Sequence, residues 1–208
     1  MTTTTPVLGR STPATLSEVV RRFWWPVYGE ARALGHPPAK ALQITAAALG
    51  RAADAASFLR ADGHDGRLRL LIRGELATVI EKPNLIDHAP LLPGVSIEAA
   101  EARDEYTTAP DPGAFDRRWA IVVQEQALRT LQQIFSEEGR EAIWNQLKPY
   151  LARRASAPLA TTGPESVDLA SIDQLRERYR QEVRRQVAET VTTPLALDSE
   201  LNELFGPT

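Results

Sequence analysis

Apolar side chains in this 208-residue chain recur every three or four positions, and this spacing constrains the fold more than any other feature. The longest such run lies near the C-terminus and consists of Leu169, Ile172, Leu175, Tyr179, Val183, Val187 and Val191. Strict alternation of apolar and polar residues, which is typical of strands, does not stand out in any segment. The pattern therefore predicts an all-α protein.

The same spacing predicts helices on both sides of a proline-rich stretch. A capping box at Thr15–Glu18 opens the first helix. The predicted helices cover residues 15–34, 39–59, 67–81, 115–135, 140–151, 169–191 and 198–205. Residues 83–113 hold five prolines, and we interpret them as a linker with a short helical piece near Ile97–Arg103. This organisation predicts two small helical domains, over residues 15–82 and 114–206.

The residues that most enzymes and metal sites need are scarce. The chain has no cysteine, which excludes disulfides, thiolate zinc sites, iron–sulfur clusters and cysteine nucleophiles. The three histidines, His36, His64 and His88, are far apart and have no metal-binding spacing. Phosphate-binding loops, dinucleotide fingerprints and serine elbows are also missing, and the carboxylate pair Asp198 and Glu200 is interpreted as a helix start or a solvated surface. We expect no enzyme, no metal and no cofactor.

Composition places the chain among ordinary globular proteins, with 43% hydrophobic and 25% charged residues. No run approaches the roughly 20 apolar residues that cross a bilayer. The first ten residues lack the apolar stretch of a signal peptide. We expect a cytoplasmic protein that does not bind membranes.

Arginine provides nearly all the positive charge, since Lys40, Lys82 and Lys148 are the only lysines among 24 basic residues. The net charge of −3 gives no bulk attraction for nucleic acid, so DNA binding would need a local basic face. The candidate phosphate-binding side chains are Arg67, Arg69, Arg176, Arg178, Arg184 and Arg185. A solvated helix face with ion pairs to neighbouring acids is the open alternative for them. The four tryptophans are interpreted as core residues, although they could also stack on bases.

Several segments occur in an order that resembles a known family. In the second half these are residues 115–120 (FDRRWA), 147–151 (LKPYL), 175–180 (LRERYR) and 200–205 (ELNELF). In the first half they are residues 23–28 (FWWPVY) and 66–69 (GRLR). Together, over residues 16–206, they resemble bacterial extracytoplasmic-function RNA polymerase sigma factors.

The resemblance implies two helical domains with separate tasks. The first would bind the clamp of core RNA polymerase and melt the −10 promoter element, and the second would bind the −35 element with a helix-turn-helix. Core RNA polymerase and promoter DNA would then be the partners. Gln43 and Thr45 lie in the stretch aligned with polymerase contacts, and the arginines named above would contact DNA.

The departures from the family fall on the contact surfaces. The acidic run that meets the polymerase is replaced by residues 39–46 (AKALQITA). Between Leu151 and Leu175 the chain is shorter by about one helix, so the second domain is predicted to hold a remnant helix-turn-helix. Asp173 occupies a recognition-helix position, where a carboxylate repels phosphates. Two hypotheses follow: a sigma factor with unusual contacts, or a degenerate sigma-like regulator that binds proteins and does not recognise promoters.

Overall fold

The computed structural model describes residues 16–55, 66–86, 94–103, 111, 113–151 and 169–206. Within these ranges every regular element is a helix, and one isolated bridge between Arg67 and Val191 is the only strand-like pairing. The all-α prediction is therefore confirmed.

Nine α-helices lie in the described ranges, together with single 3₁₀ turns at Pro83–Leu85 and Lys148–Tyr150. In chain order the helices are α1 (Leu16–Arg22), α2 (Trp24–Ala33), α3 (Pro38–Ala55), α4 (Leu68–Glu81), α5 (Ile97–Glu101), α6 (Ala114–Glu137), α7 (Glu141–Leu147), α8 (Leu169–Ala188) and α9 (Pro194–Phe205). Helix α9 starts four residues before its predicted beginning. Its cap explains the earlier start, because the Thr193 hydroxyl accepts a hydrogen bond from the Ala196 amide at 3.1 Å and Pro194 occupies the first helical position.

The first predicted helix is two helices, α1 and α2, that meet at Phe23. Pro26 explains the break, since it has no amide proton to donate to the carbonyl of Arg22 and its ring clashes with that carbonyl. The Phe23 amide instead closes a tighter turn on the Val20 carbonyl at 3.2 Å. The break turns the Phe23 ring into the core, where it is 3% exposed.

Helix α6 lies at the centre of the molecule. It packs against α2 on one side and against α8 and α9 on another, while α3 packs on α2 and α4. The Phe23 ring from the first half stacks on the Trp119 indole of α6, with centroids 3.6 Å apart and planes 8° from parallel. One continuous core thus includes apolar residues from both predicted domains, such as Leu49, Ile72 and Val187. The prediction of two domains separated by a linker is not confirmed.

A second, smaller apolar cluster lies at the C-terminal end of α6. It consists of Leu131, Phe135, Trp144, Leu147, Ile172 and Leu175. Tyr179 packs against both this cluster and the main core, so α8 joins the two. The helix-turn-helix remnant predicted between Leu151 and Leu175 falls largely on residues 152–168, which lie outside the described residues.

Candidate functional site

A buried group of charged side chains ties the two halves of the chain together. Arg69, near the start of α4, is 2% exposed and donates to the fully buried carboxylate of Glu200 on α9 through Nε at 2.7 Å and Nη2 at 2.9 Å. Its Nη1 donates to Asp116 of α6 at 2.6 Å, and Nη2 also binds Glu203. Three helices that are far apart in the chain therefore meet at one guanidinium.

The pKa values indicate that this group is charged. Burial lowers the pKa of Arg69, but the hydrogen bond and charge of Glu200, together with Asp116, outweigh that effect and raise it well above its usual value. Burial raises the pKa of Glu203, but hydrogen bonds from Arg67 and Arg69 reverse the shift and hold it below its usual value. Arg69 and Glu203 are therefore charged near neutral pH, and the hydrogen bonds of Arg69 hold α4, α6 and α9 together.

Arg67 lies beside this cluster and is held in the same way. Its guanidinium pairs with Glu203 and lies 3.6 Å from Glu200. The main chain next to it is paired too, because the Leu68 amide donates to the Thr190 carbonyl at 2.8 Å and the Thr192 amide to the Gly66 carbonyl at 2.9 Å. The two arginines that were candidates for DNA contact in the first half are thus occupied by carboxylates of the second.

The four candidate arginines of α8 do not all lie on one side of the helix. Helical spacing places Arg176 and Arg184 on one side of the helix and Arg178 and Arg185 on another. Most of them pair with acids: Arg176 with Asp173 at 3.5 Å, Arg184 with Asp198 at 3.0 Å, and Arg185 with Glu182 at 2.6 Å and Glu189 at 2.9 Å. The Arg178 guanidinium lies 5.9 Å from the ring centroid of Phe135.

The two candidate polymerase contacts lie on different sides of α3. Gln43 is exposed. Thr45 is fully buried, and its hydroxyl donates to the Ala41 carbonyl at 2.7 Å within the helix. Only the first of the two side chains is therefore available to a partner in this conformation.

Sequence reasoning missed the role of Glu200. We interpreted it as part of a helix start or a solvated surface, and this was wrong, because its side chain is fully buried against Arg69. A signal was present in the sequence: Leu197, Leu201 and Leu204 surround Glu200 on the apolar face of α9. A carboxylate on an apolar stripe needs a cationic partner, and Arg69 provides it.

The comparisons with known proteins identify no family for this chain. No model of a known protein family matches the chain, and no curated protein or solved structure matches it either. Among the described residues there is no group of three histidine, aspartate or glutamate side chains that could hold a metal ion. None of the helices described here combines the length and the hydropathy of a membrane span.

Proposed function

We propose that this chain is a sigma-factor-like regulator of transcription that binds core RNA polymerase and does not recognise promoter DNA. The observation that carries the proposal is the shared core, in which Phe23 stacks on Trp119 and Arg69 binds Glu200. The order of the sigma-like segments supports the family, and the joined halves support the second of the two hypotheses that the sequence leaves open.

The distance between the two promoter elements supports the absence of promoter recognition. The −10 and −35 elements lie about 25 base pairs apart, which is roughly 85 Å along B-form DNA. A compact chain of this length has a radius of gyration of about 17 Å and a diameter of roughly 45 Å. The described parts of the two halves pack on one core that is smaller than this distance, so simultaneous recognition would require the core to open.

The charge distribution supports the same conclusion. Exposed pairs such as Arg184 with Asp198 exchange partners at a cost of about 0.2–1 kcal/mol, so they do not decide against DNA binding. Arg67 and Arg69 differ, because they are bound by buried or partly buried carboxylates and cannot turn to a phosphate without opening the fold. The net charge of −3 adds no general attraction.

The outward face of α3 supports polymerase as the partner. Ala39 and Gln43 near the start of α3 and Asp54 near its end are exposed, whereas every residue from Ile44 to Leu49 is buried. The family resemblance assigns polymerase contact to this stretch. Within that stretch the Gln43 side chain is exposed, although the acids of the family are absent.

A pull-down with purified core RNA polymerase tests whether the chain binds polymerase. The full tagged chain is compared with an authentic sigma factor of the group as positive control. We expect the wild type to bind, Gln43→Arg to bind at least tenfold more weakly, and Gln132→Arg, the same change at an exposed position of α6, to bind normally. Failure to bind beside a working control, or equal loss in both variants, would contradict polymerase contact through α3.

Selection from a pool of random DNA duplexes tests whether the chain recognises promoter DNA. The complex of polymerase with the chain, and that of polymerase with the control sigma factor, are each used to retain duplexes, which are then sequenced. We expect the control to enrich its promoter motif and the chain to enrich none. An enriched motif with two elements in the chain's sample would show that promoter recognition is retained.

A further inference from the structure

A second site lies where α1, α2 and α6 meet, away from the buried ion cluster. It is a surface cavity of about 530 Å³, here called the arginine cleft, lined by Arg21, Arg22, Arg103 and Arg129 together with Trp24 and Trp25. Cavities of about 300–1,000 Å³ hold small organic ligands. We propose that the arginine cleft binds a nucleoside phosphate. This inference goes beyond the proposed function and does not depend on it.

The charge of the cleft favours an anion. Four arginines and two glutamates, Glu18 and Glu125, line it, which is a formal excess of two positive charges in a chain whose net charge is −3. Arginine stays protonated at any physiological pH, so this excess is permanent. The planar guanidinium binds phosphate oxygens through two parallel hydrogen bonds.

The partners of the four arginines show where positive charge is left unmatched. Arg22 pairs with Glu189 at 2.8 Å, so it is matched from outside the cleft. Glu125 is shared, because Arg103 pairs with it and Arg129 lies 3.9 Å from the same carboxylate oxygen. Arg21 is exposed and has no carboxylate partner among the residues that the structure describes. With Arg22 matched, three arginines face the two glutamates of the cleft, Glu18 and Glu125, so a formal excess of one positive charge remains beside Arg21 and Arg129.

The aromatic side chains favour a ligand that also carries a planar ring. The Arg103 guanidinium covers the Trp25 ring, 4.4 Å from its centroid, and that indole is 5% exposed. Trp24 is only half-buried and also lines the cleft. A partly exposed indole stacks on a nucleobase of any sequence, since every base has a π-face. A ring surface and unmatched guanidinium groups in one cavity match the two ends of a nucleoside phosphate.

Calorimetric titration of the full chain tests the proposal with three probes: ATP, adenosine and tripolyphosphate. We expect ATP to bind at least tenfold more tightly than either adenosine or tripolyphosphate, because only ATP uses both the ring and the charge. The double variant Arg21→Ala/Arg129→Ala should weaken ATP binding at least tenfold. The matched variant Arg180→Ala/Arg184→Ala, which also removes two exposed arginines, should bind ATP within twofold of the wild type.

Tryptophan fluorescence tests whether the adenine ring of ATP stacks on Trp24. ATP should quench the emission of the wild type and of Trp144→Phe, whereas Trp24→Phe should lose most of the quenching. Circular dichroism and urea midpoints verify that each variant is folded. The proposal is overturned if ATP does not bind, if both double variants lose binding equally, if tripolyphosphate binds as tightly as ATP, or if an oligoglutamate peptide binds the cleft and ATP does not.

Discussion

Arg69 shows how a single charge can be kept inside a helical core. The guanidinium and the Glu200 carboxylate are 2% and 0% exposed, so both have lost their hydration. Transfer of such groups from water is costly, and their mutual attraction with good hydrogen-bond geometry offsets that cost. The pair therefore adds little net stability compared with an apolar pair, but loss of one partner leaves an uncompensated buried charge.

Arg69→Ala tests this reasoning at the level of one residue. We expect a loss of about 3–5 kcal/mol in the free energy of unfolding, because the buried Glu200 would lose both hydrogen bonds from Arg69 and keep only Arg67, 3.6 Å away, as a cation. Urea denaturation followed by circular dichroism measures the loss. Arg180→Ala, which breaks an exposed pair with Glu177, should cost less than about 1 kcal/mol.

The double variant Arg69→Met/Glu200→Leu completes that experiment. Replacement of both charges by apolar side chains should recover most of the stability, since Asp116 and Glu203 are partly exposed and can turn to water. A loss below about 1 kcal/mol for Arg69→Ala would show that Glu200 finds another partner or becomes protonated.

At the scale of elements, the sequence predicts what depends on local spacing. Helix α4 was expected over residues 67–81 and covers Leu68–Glu81, because its apolar stripe is continuous. The break at Phe23 was missed because the apolar pattern continues across it, although Pro26 removes a helical donor. The pairing of Arg67 with Val191 joins segments far apart in the chain, so no local pattern could predict it.

Helix α5 is too short to be stable alone, so its side-chain contacts hold it in place. Its Glu101 carboxylate accepts hydrogen bonds from the Tyr28 hydroxyl at 2.6 Å and from Arg32 Nε and Nη2 at 2.9 and 3.0 Å. The hydrogen bond from Arg32 lowers the pKa of Glu101 below its ordinary value of 4.5 in spite of partial burial. These contacts tie α5 to α2 through one ionised group.

Glu101→Gln should therefore change how stability depends on pH. A carboxyl group whose pKa is lower in the folded state contributes its full stabilisation above its unfolded pKa of about 4.5 and loses it as the pH falls through the folded value. We expect the variant to be less stable than the wild type at pH 7, and the difference to shrink by pH 3. Urea denaturation at the two pH values measures it.

Glu81→Gln, at the exposed end of α4, is the matched control. It should leave both the stability at pH 7 and its pH dependence close to those of the wild type. A constant difference between Glu101→Gln and the wild type from pH 7 to pH 3 would mean that the carboxylate charge does not hold α5 in place.

At the scale of the whole molecule, the candidate sites were harder to predict than the helices. Arg67 and Arg69 were chosen for DNA contact from local sequence, whereas their acidic partners Asp116, Glu200 and Glu203 come from distant helices. The arginine cleft was not predicted for the same reason, since Arg21 and Arg129 come from helices far apart in the chain and line one cavity only in the folded protein. Charge pairing over long distances depends on the packed fold, which helical periodicity alone does not specify.

The shared core makes a prediction about cooperativity. Trp119 is fully buried and stacks on Phe23 of the first half, so Trp119→Ala should lower the free energy of unfolding by about 3–5 kcal/mol. Because one core contains both halves, we expect this loss to be felt equally by amides of α3 and of α6 in native-state hydrogen exchange. Ile121→Ala, at a position of α6 that is 40% exposed, should leave the protection in both helices nearly unchanged.

If Trp119→Ala lowered protection in α6 and left α3 at its wild-type value, the halves would unfold independently. The two-domain organisation suggested by the proline-rich stretch would then describe the molecule better than a single core, and the size argument against simultaneous promoter contacts would no longer hold.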